Sequence, residues 1–183
     1  MSRLHLIDPA QATGTRKELL QQIHGAFGAT PAMFRAVANS TAALQSMWGA
    51  FGALGSGVIP AKLGEQIAVA VADRNDCEYC LAAHTMLGRK AGASTAEMAA
   101  AQQGESTDPQ TAAALRFALQ LVDNRGQVGD ADVQALREAG FNDEQIVEIL
   151  AHVALNLFTN YMNLAFQVPL DFPAVKRRGT QPL

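Results

Sequence analysis

The sequence is short of the residues that build sheets. Only 6 % of its 183 residues are aromatic. β-Branched side chains are sparse against abundant alanine, and no run alternates apolar with polar residues over the length of a strand. These shortages argue against a half-buried sheet and set the expectation of an all-α fold. Positive charge is scarce as well: 14 lysines and arginines against 17 acidic residues leave a net charge of −3. Binding a phosphate backbone takes a basic stripe, so nucleic acid is not an expected partner. The one basic run, Lys176-Arg177-Arg178, reads as a solvated tail.

The opening residues, MSRLHLIDPAQ, hold no apolar segment of a secretory signal. Two stretches, 36–61 and 149–170, lack formal charge. The first is interrupted by Asn39, Gln45, Pro60 and several glycines, the second by His152, Asn156, Asn160, Asn163 and Gln167. Burying that many amides in lipid costs on the order of several kcal/mol each, so no membrane partner is expected and both stretches read as buried helices. Cysteine is limited to Cys77 and Cys80. With no signal in view the expected setting is cytoplasmic, where two close thiols are more often catalytic or metal-binding than a structural staple.

What is present suffices for one domain over residues 1–183: 49 % of the chain is hydrophobic and 17 % charged. Helical periodicity predicts eight to ten helices. Leu19, Leu20, Ile23 and Phe27 share a face over 15–27, with Gly28 as the stop. Thr30-Pro31 opens a short helix, and a further one covers 42–54. Pro60 opens the helix to residue 74, and Asn75 or Asp76 reads as the N-cap of a helix over 77–90. Ser94 and Glu97 form a capping-box pattern for 94–103. Helices over 108–122 and 131–139 follow, and a long one from Asn142 to about Gln167, broken near Asn156.

Shifting the chain by 79 residues aligns Glu65-Gln66-Ile67 with Glu144-Gln145-Ile146, and Cys77, Cys80 and His84 with Asn156, Thr159 and Asn163. One reading is a degenerate helix-pair repeat at 144–163, an inert copy of 65–84; the other is chance similarity between alanine-rich helices. The polar stripe His152, Asn156, Asn160, Asn163 and Gln167 reads as an internal polar network, a subunit contact or a substrate lining.

Chemistry concentrates in EQIAVAVADRNDCEYCLAAH, residues 65–84. On a helix Cys77, Cys80 and His84 fall within about 60° of one another. The first-turn position of Cys77 favours a thiolate through the helix dipole, and His84 lies one turn from Cys80. A thiol of pKa about 8.5 is only about 3 % ionised at pH 7, and lowering it to about 6.5 gives about 75 %. Two such sulfurs can cycle between dithiol and disulfide. Glu65, on the preceding helix, would accept a proton through His84 or a water if the two helices pack antiparallel. Zinc ligation by the thiols and His84 is a rival reading, although one helix lacks the separated ligand pairs of closed zinc sites. Inert burial of two small hydrophobes is another. Covalent haem is excluded, since Leu81 follows Cys80.

The pattern E-x11-C-x-x-C-x-x-x-H at Glu65, Cys77, Cys80 and His84 resembles the core motif of the alkyl hydroperoxidase D (AhpD-like) family, within the carboxymuconolactone decarboxylase superfamily. The layout around LFTNYMNLAFQVPLDFP from Leu157 is similar to its peroxidase-related branch. The resemblance implies an AhpD-like helical fold and a thiol-dependent alkyl hydroperoxide reductase needing no cofactor or metal. It implies that Cys80 attacks the hydroperoxide, Cys77 resolves the sulfenic acid to a disulfide, and His84 with Glu65 relays protons. It implies an organic hydroperoxide as substrate, a dithiol or thioredoxin-like reductant and a homo-oligomer, trimer or hexamer. Tyr79 departs from the histidine that better-known members carry between the cysteines. A phenol of pKa about 10 shuttles no protons near neutrality, but it can orient Glu65. Two other classes stay open: a cofactor-free lactone decarboxylase and a redox-responsive binding module.

Overall fold

Residues 63–73 are small or branched and apolar apart from Glu65, Gln66 and Asp73, and a helix that is apolar on nearly every side belongs in the middle of a core. The computed structural model, which describes residues 2–179, places them there. They form most of α4 (Ala61–Arg74), in a bundle whose other helices are α1 (Gly14–Phe27), α2 (Ala32–Val37), α3 (Thr41–Gly55), α5 (Glu78–Lys90), α6 (Thr95–Ala101), α7 (Pro109–Asp123), α8 (Asp130–Glu138) and α9 (Asp143–Phe166). A short 3-10 turn at Pro9–Gln11, which the sequence pattern did not announce, precedes them. No strand occurs among the described residues, and the all-α expectation holds. α4 packs against α5, α7 and α9 at once. Its buried Ile67, Val69 and Val71 each contribute about 1.5–3 kcal/mol by leaving water. Phe27, expected on the buried face of α1, is instead half-exposed beside Phe34 and Trp48.

The corner between α4 and α5 sets the geometry of everything that follows. Asp76 takes a left-handed backbone with φ of 58°. Its N–H reaches Asp73 O at 3.2 Å, and the N–H of Cys77 reaches back to Ala72 O at 2.9 Å. These are the two bonds of a Schellman ending. Cys77 is therefore the last residue of that motif and, at the same time, the N-cap of α5, its sulfur accepting from Cys80 N at 3.4 Å. The sequence reading put the cap at Asn75 or Asp76. Asp is an uncommon left-handed residue where glycine is usual, which hid the motif. Farther along, Gly88 of α5 meets α4 closely: a Cβ there would lie 3.3 Å from that of Glu65 and 2.4 Å from Met98 Cε.

α9 runs unbroken for 24 residues, about 36 Å. The expected interruption at Asn156 is absent, because its amide donates to His152 O at 2.9 Å and leaves the backbone ladder intact. The segment 144–163 thus does not fold as a second helix pair: what aligns with the α4–α5 corner lies inside one straight helix. Asn142 and Gln145 close a reciprocal cap at its start. At its end Arg3 N donates to Phe166 O and Arg3 Nη1 to Ala165 O, both at 2.8 Å, satisfying carbonyls the helix leaves open.

Beyond α9 the chain crosses the α4–α5 corner as an irregular strap. Asp171 Oδ2 accepts from Ala32 N at 2.5 Å and from Tyr79 Oη at 2.6 Å. Arg177 pairs with Asp76, and Arg178 N donates to Asp73 Oδ1 at 2.9 Å. The basic run is accordingly no free tail: two of its residues are tied to the acidic corner. No helix among the described residues is long and apolar enough to cross a membrane.

Candidate thiol site

The α4–α5 corner turns the chain back so that Glu65, one turn into α4, faces His84, one turn past Cys80. Glu65 Oε2 stands 2.7 Å from His84 Nδ1. Burial opposes protonation of His84, but the charge and hydrogen bond of Glu65, then the charge of Cys80, raise its pKa above the ordinary value. Both thiols are reduced and buried, Cys77 at 1 % and Cys80 at 2 % exposure.

The two sulfurs differ in what surrounds them. Burial works against ionising Cys80, yet the hydrogen bond from Cys77, the charge of His84 and the amides of Asn163 and Asn160 bring its pKa down to about 6. Asn163 Nδ2 lies 3.1 Å from its sulfur. Cys77 goes the other way: its hydrogen bond to Cys80, burial and the repulsion of the Cys80 charge all push it up. The dipole argument at the sequence level favoured Cys77 as the nucleophile. The structure keeps Cys77 at the helix start, where its sulfur accepts from Cys80 N, but the burial of Cys77 and its hydrogen bond to Cys80 outweigh that contact, whereas Cys80 carries the further contacts that stabilise an anion.

Three polar residues of α9 complete the site. Thr159 lies 4.0 Å from Cys80 Sγ, Asn163 holds that sulfur, and Asn160 accepts from Asn75 Nδ2 at 3.0 Å. All three are buried. Among the three readings of the polar stripe, an internal network joined to the thiols is the one realised for Asn160 and Asn163; Thr159 is not part of that stripe. No sequence signal at separations of 79 to 85 residues identifies such contacts. Asn163 Oδ1 is buried without a hydrogen-bond partner, which ordinarily costs about 1–3 kcal/mol.

His84 stands between two cavities. One, about 40 Å³, opens beside Cys80 and is walled by Met33, Phe34, Phe51, Tyr79, Met86 and Phe172. The other, about 250 Å³, lies on the Glu65 side and also touches His152 and Asn156. There the imidazole of His152 lies over Gly64, where a Cβ would sit 3.0 Å from its Cε1. No group of three or more metal-ligating side chains is gathered among the described residues.

A family model described as the carboxymuconolactone decarboxylase family matches residues 40–124, a span that holds Glu65, Cys77, Cys80 and His84. A solved structure described as the alkylhydroperoxidase AhpD core, an uncharacterized peroxidase-related protein from Ralstonia eutropha JMP134, superposes with a TM-score of 0.82 at 25 % identity, covering 93 % of this chain and 92 % of that one. Residues 40–124 thus match the carboxymuconolactone decarboxylase family, and the chain as a whole has the AhpD-like fold. An uncharacterized peroxidase-related protein from Silicibacter sp. TM1040 shares the fold with a TM-score of 0.79 at 22 % identity over 98 % of this chain and 95 % of that one. So does the debrominase Bmp8, solved in complex with 2,3,4-tribromopyrrole, with a TM-score of 0.76 at 18 % identity over 93 % of this chain and 94 % of that one. No curated protein sequence matches the chain.

In this AhpD-like chain Tyr79 does not orient Glu65, as the sequence reading allowed. Its hydroxyl donates to Asp171 and accepts from Met33 N at 3.3 Å, and its ring meets Phe172 edge-on at 5.5 Å. One residue before Cys80, it is turned about 100° from it around the helix and faces the strap. Burial and the Asp171 carboxylate hold the phenol well above its ordinary pKa, so it keeps its proton, anchors the strap and relays none.

Proposed function

We propose that the protein is a thiol-dependent alkyl hydroperoxide reductase that cycles Cys77 and Cys80 between dithiol and disulfide. The observation that carries this is the environment of Cys80: a sulfur with a lowered pKa, an amide donor at 3.1 Å and a His84–Glu65 pair behind it, on the wall of an apolar pocket. The Cys80 thiolate attacks the distal peroxide oxygen, so an S–O bond forms and the O–O bond breaks. The departing alkoxide takes a proton from His84, whose charge Glu65 balances. Cys77 then attacks the sulfenic sulfur, forming the disulfide, and hydroxide leaves as water with the Cys77 proton. A dithiol or thioredoxin-like protein returns the two electrons. No metal or cofactor enters these steps.

The apolar walls favour an organic hydroperoxide over hydrogen peroxide. A reducing, cytoplasmic setting suits a pair that must be re-reduced. We also propose a homo-oligomer, supported by the exposed apolar face of α9, where Val147, Leu150, Phe158 and Tyr161 point outward. The decisive experiment is titration with cumene hydroperoxide followed by mass spectrometry. The expected result is one Cys77–Cys80 disulfide per equivalent, and absence of that bond refutes the reading.

The aromatic and methionine walls beside Cys80 favour a second reading, reductive dehalogenation of a halogenated aromatic by the same dithiol, as the name of the debrominase suggests for that protein. Bromide released from a bromopyrrole by the reduced protein, one per disulfide formed, is its test.

A further inference from the structure

Asn163 is 4 % exposed and sits on α9 with its two amide atoms in different situations. Its Nδ2 is 3.1 Å from Cys80 Sγ, while its Oδ1 is buried and accepts no hydrogen bond among the described residues. A thiolate has no use for a buried acceptor and a thiol is only a weak donor to one, whereas the S–O–H group of a sulfenic acid is a full hydrogen-bond donor. The other side-chain oxygens near the sulfur already take part in hydrogen bonds, Asn160 Oδ1 accepting from Asn75 Nδ2 at 3.0 Å. Thr159 Oγ1 already donates to Asn156 O at 3.1 Å, and His84 Nδ1 is bound to Glu65.

We propose that Asn163 is a catalytic residue that serves Cys80 in two successive states: its Nδ2–H group holds the thiolate before attack, and its Oδ1 accepts the hydroxyl hydrogen of the sulfenic acid afterwards. The inference rests on the peroxide-reductase reading and names a fifth residue for it. Attack transfers the distal oxygen with its hydrogen to Cys80 sulfur, so the new hydroxyl appears within reach of the amide that already touches that sulfur. Holding the oxygen fixes the direction of the S–O bond, along which Cys77 must displace hydroxide. It also keeps a second peroxide from finding a free sulfenate. A side chain offering donor and acceptor from one planar group fits this sequence; a lysine or a serine in its place would not offer both in fixed positions.

The test separates the two halves. Alkylation of Cys80 by iodoacetamide against pH, in a Cys77→Ser background without peroxide, reads the donor. Trapping with dimedone in the same Cys77→Ser background, at increasing delays after one equivalent of cumene hydroperoxide, reads the acceptor. Asn163→Leu is expected to move the alkylation midpoint up by about one pH unit, a roughly five-fold slower reaction at pH 6, and to shorten the sulfenic lifetime several-fold. Asn163→Asp keeps an acceptor without the donor, so it is expected to raise the midpoint yet preserve the lifetime. Asn163→Ser, a smaller change, supplies the folded comparison if leucine disrupts the bundle, and is expected to lose both effects in part. Unchanged midpoint and lifetime in the leucine and serine variants overturn the proposal, as does an aspartate variant that loses the lifetime as fully as leucine. If no dimedone adduct forms even with Asn163 intact, the reductase reading itself falls and takes the acceptor half with it. The alkylation midpoint still decides the donor half.

Discussion

Residues 65–84 and 144–163 align under one shift, yet the first turns a corner and the second runs straight. At the corner Asp76 accepts a left-handed backbone and Cys77 caps the next helix. The aligned residues in α9 are Leu155, which pays heavily in that conformation, and Asn156, whose amide bonds within its own helix. The corner sets a carboxylate, an imidazole and two thiols face to face. The straight helix lays Thr159, Asn160 and Asn163 along one side of them. One region supplies the carboxylate, imidazole and thiols, and the other supplies amide and hydroxyl dipoles fixed beside them.

The comparison breaks most completely at the sulfurs. Cys80→Ser is expected to reduce hydroperoxide consumption to the uncatalysed background, while Cys77→Ser allows a single turnover that ends in a dimedone-reactive sulfenate. Steady-state activity in either variant contradicts the division between nucleophile and resolver. Next in size is the relay: His84→Gln or Glu65→Gln is expected to slow turnover by about 10² to 10⁴, as for loss of a general acid–base group. Stopped-flow measurement of disulfide formation checks it.

Acidification comes third. Cys80 ionises near pH 6, so its thiolate persists above that value and is lost below it. The alkylation rate should plateau above about pH 7 and fall towards tenfold per unit well below pH 6. A midpoint near the ordinary thiol value of about 8.5 contradicts the assignment. Importing the α9 residue into the corner, Asp76→Leu, is expected to cost about 1–2 kcal/mol of stability, because leucine resists the left-handed backbone. Urea titration reads the loss, and Asp76→Gly separates backbone strain from the lost Arg177 pair. The smallest effect is expected from Asn156→Leu. Its Oδ1 is already unpartnered, so stability should move by no more than about 1 kcal/mol, with turnover nearly unchanged.

Much of this was legible before any coordinates. The four-residue motif follows from spacing alone, because helical periodicity and one antiparallel packing suffice to bring Glu65 to His84. The helices were legible from caps such as Ser94 and Asn142 and from alanine-rich stripes. The corner was not, since an aspartate replaces the glycine that usually marks a left-handed ending. The contacts from α9 were not, because a hydrogen bond across 83 residues leaves no local pattern. Nor was the anchoring of Tyr79 by Asp171, as the strap has no periodicity to read.

Cys77 and Cys80 stand at the cap and third position of one helix, so a bond between them closes a loop of only four residues. Chain-entropy reasoning gives such a loop about 2 kcal/mol, against about 3 for fifteen residues. The oxidised protein should therefore melt about 4–8 °C above the reduced one. In the proposed cycle, opening so short a loop would release less constraint than opening a long one, so reduction would soften the bundle without unfolding it.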